Sequence, residues 1–196
     1  MSIVVMDQRK KIHPHKFNMW MAIGSIMMMF AGFTSAFIIK RNQADWVGFE
    51  LPGVFWVSTA AILLSSLTIW LAEKAFESRQ MKRYRLLMAA TFVLGALFVV
   101  LQVIGFKEMW AQGHTLSANI SYQFLYVIIS IHALHVLGGI VALLFMSIRA
   151  FGSRVKNYNI VTVQLLSTYW HVMDILWVYL LIFLLSIKKK NQKRLK

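Results

Sequence analysis

The chain has 196 residues, of which 59% are hydrophobic, and its mean hydropathy is +0.62. Charged residues are concentrated between long apolar runs, so the composition predicts an integral membrane protein rather than a soluble domain. The absence of Cys excludes disulfides, thiolate metal sites and cysteine nucleophiles. The formal net charge of +14 comes with no nucleic-acid motif, so we expect no nucleic-acid partner and assign the basic residues to membrane surfaces.

Five apolar runs are long enough to cross a bilayer as helices. We predict spans at about residues 17–39, 52–72, 86–106, 123–148 and 160–187, and a basic tail at 188–196. The first run follows a basic cluster and is too long for the apolar part of a signal peptide, so we expect it to remain as a span. Pro52 fits near the start of the second helix, and residues 73–85 are predicted to form a charged connection. The predicted fold class is all-α, a single integral membrane bundle of five transmembrane helices over residues 1–196.

The distribution of Lys and Arg predicts the orientation of the bundle. Five spans place the N-terminus, the second loop and the fourth loop on one side and the C-terminal tail on the other. The N-terminal side carries most of the basic residues when the C-terminal tail is left out. Because cytoplasmic loops are enriched in Lys and Arg, we expect a cytoplasmic N-terminus and an outside C-terminus.

The fifth run carries a stripe of polar residues. Gln164, Ser167, His171 and Asp174 are spaced three, four and three apart, so they share one helical face. An Asp in mid-bilayer costs about 2.5–3.5 kcal/mol on insertion scales, which the many apolar residues of the run offset. Since lipid offers no partner for these groups, the stripe is predicted to face other helices.

The fourth run carries a second stripe, with His132, His135 and Gly139 on one face. In the predicted topology the two stripes lie near the midplane, so His132, His135, His171 and Asp174 form one candidate cluster. Four interpretations stay open from the residues alone. They are a metal site, haem ligation by a facing His pair, a proton or ion path, and an interhelical hydrogen-bond network that fixes helix register.

Two phrases carry a family resemblance. The first is His132-Ala-Leu-His-Val-Leu-Gly-Gly139, and the second, about thirty residues on, is Tyr169-Trp-His-Val-Met-Asp-Ile-Leu-Trp177. Together they resemble the patterns H-x-x-H-V-x-x-G and Y-W-H-x-x-D-x-x-W of subunit III of the haem-copper terminal oxidases. The resemblance covers roughly residues 17 to 187. The chain is similar to the five-helix bacterial form of the subunit, which occurs in cytochrome c oxidases and quinol oxidases alike.

The resemblance implies an accessory, non-catalytic subunit of a proton-pumping respiratory oxidase in the bacterial cytoplasmic (inner) membrane. It implies no cofactor on this chain, with haem and copper in partner subunits. The implied partners are subunit I as the main one, subunit II, small subunits, membrane lipids and a larger respiratory supercomplex. Subunit III of the family binds phospholipid in a cleft and supports proton uptake and durable turnover.

The resemblance also assigns roles to residues. It makes the following a structural network: His132, His135, Gly139, Gln164, Ser167, Tyr169, Trp170, His171, Asp174 and Trp177. The opening helix, with Asn18-Met-Trp20 and Phe30-Ala-Gly32, is similar to the family's, which implies lipid contacts at Met19, Trp20, Phe30 and Gly32. The alternative is a stand-alone membrane haem or metal protein that uses the buried His cluster, and a second is a proton-coupled carrier.

Three positions depart from the family pattern. Ile26 stands where the family usually has a Glu in the first of these helices. Gly53 stands where a loop Glu is common, and Gly105 stands where a Glu often follows the pair Leu101-Gln102. A proton-related role of the missing Glu at position 26 therefore does not carry over to this chain.

Overall fold

The computed structural model describes residues 14–40, 53–111, 120–151 and 160–192. Within these ranges the chain forms five α-helices and no strand. The helices are α1 Pro14–Lys40, α2 Val54–Glu77, α3 Met81–Ala111, α4 Ile120–Phe151 and α5 Ile160–Gln192. All five are long and apolar enough to cross a membrane. The predicted all-α bundle of five transmembrane helices is therefore confirmed.

The helices are longer than the apolar runs that predicted them. α3 has 31 residues and α5 has 33. At 1.5 Å per residue such helices extend about 45–50 Å, whereas the hydrocarbon core of a bilayer is about 30 Å thick. Hydropathy detects only the segment inside the hydrocarbon, and the charged ends continue as helix into the headgroup region.

The connection between α2 and α3 differs most from the prediction. Residues 73–85 were expected to form a charged connection, but only Ser78, Arg79 and Gln80 separate the two helices. The Gln80 N–H donates to the Ala75 carbonyl and the Arg79 N–H to the Phe76 carbonyl, which closes the end of α2. Arg79 has a φ of 56°, so this turn places a non-glycine residue in the left-handed region. Pro52 lies outside the described residues, and Gly53 precedes α2.

Helices α2 to α5 form a closed ring, and α1 lies against the outside of this ring. α2 packs on α3, α3 on α4, α4 on α5, and α5 on α2. Among the described residues α1 packs only on α4 and α5. The helix that carries the polar stripe, α5, therefore contacts three neighbours.

Large apolar side chains fill the interior of the bundle. Those that are fully buried include Phe30 and Phe37 from α1, Phe55 and Ile62 from α2, Phe98 from α3, Leu125 from α4, and Trp170 and Trp177 from α5. Polar side chains in the helices mostly satisfy themselves locally. The hydroxyls of Ser58 and Thr59 donate to the Phe55 carbonyl, and that of Ser65 donates to the Ile62 carbonyl. Their oxygens keep lone pairs that can accept further hydrogen bonds from other helices.

Candidate functional site: a buried polar network around the fifth helix

Two tryptophans of α5 are hydrogen-bonded to hydroxyls of α2. The Trp170 Nε1–H donates to Ser65 Oγ at 2.8 Å, and the Trp177 Nε1–H donates to Thr59 Oγ1 at 3.0 Å. Both indoles are 1% exposed. A buried indole N–H without a partner would cost free energy, so α2 supplies small hydroxyls where these rings enter the interior.

The Trp170 ring lies in a slot between two glycines on different helices. A Cβ at Gly95 on α3 would lie 2.8 Å from Trp170 Cη2, and one at Gly139 on α4 would lie 2.9 Å from Trp170 Cζ3. Neither space admits a methyl group without displacing the indole. Trp170 therefore contacts α2, α3 and α4 together. Gly139 of the first sequence phrase packs directly against the indole of Trp170 of the second.

A further bond joins the two sequence phrases. The Tyr169 hydroxyl donates to the His135 backbone carbonyl at 2.8 Å. This bond crosses from α5 to α4 one helical turn from the Gly139 contact. The His135 ring stays on its own helix, with Nδ1 2.8 Å from the Ile131 carbonyl oxygen.

His132 is enclosed by aromatic rings. It is 0% exposed and stacks on Trp177, with ring centroids 5.3 Å apart and planes at 27°. The rings of Phe30 and Phe98 meet it edge-on at 6.1 and 6.2 Å. Neither of its ring nitrogens has a hydrogen-bond partner among the described residues. Its side chain thus packs as a flat ring against α1, α3 and α5.

His171 and Asp174 turn toward α2. His171 Nδ1 lies 2.6 Å from Ser66 Oγ, and the Asp174 carboxyl, 3% exposed, lies close enough to interact with the same hydroxyl. Neither Asp174 oxygen reaches full hydrogen-bonding geometry with a described residue. Ser66 is therefore the shared neighbour of His171 and Asp174.

The other members of the α5 stripe separate. Gln164 Oε1 accepts from Lys16 Nζ of α1 at 3.4 Å, while Ser167 is 1% exposed inside the bundle. Tyr179, one turn beyond the stripe, shares a 3.0 Å hydrogen bond with Thr34 of α1. Thus α5 is hydrogen-bonded to α1, α2 and α4, the three helices on which it packs.

The four ionisable residues predicted as one cluster do not form a common ligand set. His171 is bonded to α2, whereas His132 and His135 contact Phe30 of α1. Across the part of the chain that the structure describes, no group of three or more His, Asp or Glu is placed to hold a metal ion. The geometry supports interhelical contacts for these residues and gives no support to the metal interpretation.

Sequence reasoning missed the α2 side of the network. Ser58 and Ser65 are seven residues apart, as are Thr59 and Ser66, so all four lie on one face of α2. Gln102 Nε2 of α3 donates to Ser58 Oγ at 3.1 Å. The Thr91 and Thr68 hydroxyls, 2.8 Å apart, form a second bond between α2 and α3. The seven-residue spacing of these hydroxyls is visible in the sequence and indicates a polar face on α2.

Comparisons with known proteins agree with the two phrases. The family model for cytochrome c oxidase subunit III matches residues 12–187. This chain belongs to the cytochrome c oxidase subunit III family. It is 26% identical over 166 residues to a cytochrome c oxidase subunit 3 of Bacillus sp. (strain PS3), covering 82% of this chain and 80% of that protein. It is 25% identical over 172 residues to a probable quinol oxidase subunit 3 of Staphylococcus aureus (strain USA300), covering 85% of each.

One of the positions that depart from the subunit III pattern has a visible structural consequence. At Gly105, where the family resemblance implied a Glu, a Cβ would lie 3.1 Å from Phe55 Cε2. The Phe55 ring, 2% exposed, occupies this space and stacks on Trp177 at 6.2 Å. An apolar contact between α2 and α3 thus lies where the family resemblance implied a carboxylate. Ile26 is half-buried and packs against the core.

The residues for which this subunit III resemblance implied lipid contact have different surroundings. Trp20 is 64% exposed, Gly32 is exposed and Met19 is half-buried. Phe30 is 1% exposed, with its ring against His132 and His135, so it presents almost no surface to lipid. Met19 also lines a cavity of about 420 Å³ with Gly139, Arg149 and Tyr169, between α1, α4 and α5.

Proposed function

We propose that this chain is the accessory subunit of a proton-pumping haem-copper oxidase and carries no catalytic centre of its own. The observation that carries this proposal is the use of its buried polar groups. The indoles of Trp170 and Trp177, the Tyr169 hydroxyl and the His171 ring all contact groups on neighbouring helices. These groups fix the register and separation of helices, which is the work of a scaffold.

The network residues act as a unit in this proposal. Trp170 is the centre, with Gly139 packed against its ring and Ser65 as its acceptor. His132 supports Trp177 by ring stacking. Asp174 and His171 are structural, and Gln164 and Ser167 line the same side of α5. Their role is to hold α5 at fixed distances from α1, α2 and α4.

The proposed main partner is subunit I, with subunit II and small subunits beside it and a larger respiratory supercomplex around them. Haem and copper are expected in those partners and phospholipid on this chain. Every helix exposes large apolar side chains, among them Met28, Trp56, Leu86, Val141 and Ile175. Such surfaces suit lipid and neighbouring transmembrane helices, so we expect the chain to be stable only with its partners.

We place the complex in a bacterial cytoplasmic membrane, with the N-terminus of this chain inside. The turn between α2 and α3 then faces the cytoplasm. Its exposed basic residues are Lys74, Arg79, Lys82 and Arg83. Their number supports this orientation, because basic residues are retained on the cytoplasmic side.

The test is purification through a tag on this chain in mild detergent, with a subunit inventory and a reduced-minus-oxidised spectrum. We expect a haem-copper core to co-purify, and haem to be absent once this chain is separated from it. Haem or metal that stays on the separated chain would make His132, His135 and His171 ligands and would overturn the proposal. Ion-dependent transport by the separated chain would favour a carrier instead.

A further inference from the structure

A groove of about 310 Å³ lies between α2 and α3 beside their shared turn. Its two ends differ in polarity. Lys74, Ser78, Gln80 and Arg83 line the end near the turn, while Leu71 and Leu87 line the other end. Because the two helices enter the bilayer from this turn, the polar end lies at the headgroup level and the apolar end lies deeper.

The polar end of the groove has a single sign of charge. Both ionisable side chains that line it, Lys74 and Arg83, are cationic, and each comes from a different helix. Within the described residues neither forms an ion pair with a carboxylate, and Glu77 at the end of α2 does not line the groove. Ser78 and Gln80 add side chains able to donate hydrogen bonds. Two cations without a carboxylate partner, together with neutral donors, suit an anion.

The depth of Lys74 is fixed by an aromatic neighbour. Its Nζ lies 3.7 Å from the ring centroid of Trp70, one turn deeper in α2. Trp70 is 44% exposed, and tryptophan is enriched at the boundary between hydrocarbon and headgroups. We therefore expect the ammonium of Lys74 at the level of the lipid phosphates.

We propose that this groove binds the phosphate of an anionic phospholipid of the phosphatidylglycerol class. Lys74 and Arg83 hold the phosphate, and Ser78 and Gln80 contact the polar headgroup. The part of an acyl chain nearest the headgroup runs along Leu71 and Leu87. Basic pockets between transmembrane helices at the cytoplasmic surface recognise such headgroups. The inference rests on the proposed lipid binding of this subunit and names one site and one lipid class for it.

A second groove shows why the charge pattern selects an anionic lipid. It is lined by Lys16 of α1, Glu73 of α2 and Gln164 of α5. There a carboxylate accompanies the cation, so a net negative headgroup gains less. The groove between α2 and α3 has no carboxylate in its lining, and its selectivity for net negative headgroups should be correspondingly greater.

The test uses the tagged chain with all co-purifying subunits, placed in nanodiscs that contain equal amounts of phosphatidylglycerol and phosphatidylcholine. After transfer to detergent, the lipid retained per copy of this chain is counted by mass spectrometry. The variants are Lys74→Gln, Arg83→Gln and the pair, with Lys82→Gln as the matched control. Lys82 is exposed and adjacent to Arg83 but does not line the groove.

We expect each single groove variant to lower phosphatidylglycerol retention about 5-fold, the value for one basic contact near an anionic surface, and Lys82→Gln to change it by less than about 2-fold. Equal losses in all three single variants would mean general surface charge and overturn the site. Retention of phosphatidylcholine as strong as that of phosphatidylglycerol would overturn the lipid class. Displacement of the lipid by millimolar inorganic phosphate would assign the groove to a soluble anion.

The subunit inventory keeps this test separate from that of the proposed function. Loss of the oxidase core from the purified wild-type material would contradict the accessory role and leave the lipid count per chain readable. Arg83→Lys guards against misfolding, because it keeps the charge. It should retain more phosphatidylglycerol than Arg83→Gln, and the same loss in both variants would overturn the contact.

Discussion

Gly138 and Gly139 are neighbours on α4 with opposite surroundings. A Cβ at Gly139 would meet the rings of Trp170 and Tyr169 at 2.9 and 3.0 Å, whereas one at Gly138 would meet nothing within 4 Å. Tryptophan is large and held by its bond to Ser65, so it has little room to move. Replacing each glycine with alanine therefore distinguishes the effect of helix propensity, which is the same at both positions, from the effect of packing, which differs.

We expect Gly139→Ala to lower the free energy of unfolding by about 1–3 kcal/mol, the usual cost of overpacking. Gly138→Ala should be neutral or stabilising by up to about 1 kcal/mol, because alanine favours helix where nothing opposes it. The measurement is the temperature at which the detergent-solubilised complex loses this subunit. Equal shifts in the two variants would contradict the slot described for Trp170.

Asp174 is a second residue whose replacement should affect assembly. Its carboxyl and His171 share the Ser66 hydroxyl, and the carboxyl is 3% exposed. Asp174→Ala removes a buried side chain that interacts with the Ser66 hydroxyl, at a cost of about 0.5–1.5 kcal/mol, while the contact between Ser66 and His171 remains. We expect less assembled complex, with oxygen consumption per assembled complex close to wild type. Asp174→Asn, which keeps the shape and hydrogen-bonding capacity, should assemble better than Asp174→Ala.

Both quantities are measured on one preparation, as subunit content and oxygen uptake. Normal assembly of Asp174→Ala without oxygen reduction would give this residue a catalytic role and contradict the structural one. Ser25→Ala is a suitable control, because the Ser25 hydroxyl is exposed and, among the described residues, bonds only the carbonyl of Met21 on its own helix.

At the level of helices, the turn between α2 and α3 stores backbone strain at one residue. Arg79 has a φ of 56°, a region that costs a residue with a Cβ about 1–2 kcal/mol. Its side chain is exposed, and the turn is closed by backbone bonds that glycine can also make. Arg79→Gly should therefore stabilise the hairpin by up to about 1 kcal/mol.

The matched control for this turn is Ser78→Gly. Ser78 has a φ of −77°, so glycine gains nothing there and costs backbone entropy. Thermal unfolding of the two variants should shift in opposite directions, upward for Arg79→Gly and downward for Ser78→Gly. Stabilisation by both variants, or by neither, would show that the backbone angle of Arg79 is not the source of strain.

The sequence predicted the number of helices and their approximate positions because hydropathy is a property of each segment alone. It could not predict their ends, because a charged helix terminus in the headgroup region looks like a loop in composition. Residues 73–77 and 81–85 belong to α2 and α3 for this reason. The short turn depends on the conformation of Arg79, which its residue type does not indicate.

The candidate site was predicted in part for a related reason. The α5 stripe and the Gly139 phrase were visible as spacings within one helix, and the structure buries His132, Ser167 and Asp174. Which helix each side chain meets depends on packing order, so the pairing of His171 with Ser66 was not predicted. Gly95 was missed because its significance lies in the Trp170 ring of another helix.

For the whole molecule, the orientation in the membrane connects the basic turn to the lipid groove and to the accessory role. The chain contains no Cys, so single cysteines can report the sidedness of any exposed position. Lys82 and Glu108 are both exposed and lie near opposite ends of α3. With the N-terminus inside, position 82 faces the cytoplasm and position 108 faces outward.

We expect Glu108→Cys to react with a membrane-impermeant maleimide in intact spheroplasts, and Lys82→Cys to react only after permeabilisation. The readout is the mass of the tagged chain after labelling. The reverse pattern would place the α2–α3 turn outside. The basic residues that line the lipid groove would then lie on the side opposite to the one on which basic loops are retained. That pattern would also mean that the basic residues at 188–196, rather than those of the early loops, determine insertion. Reaction of both positions in intact spheroplasts would contradict a membrane crossing by α3, on which the bundle itself depends.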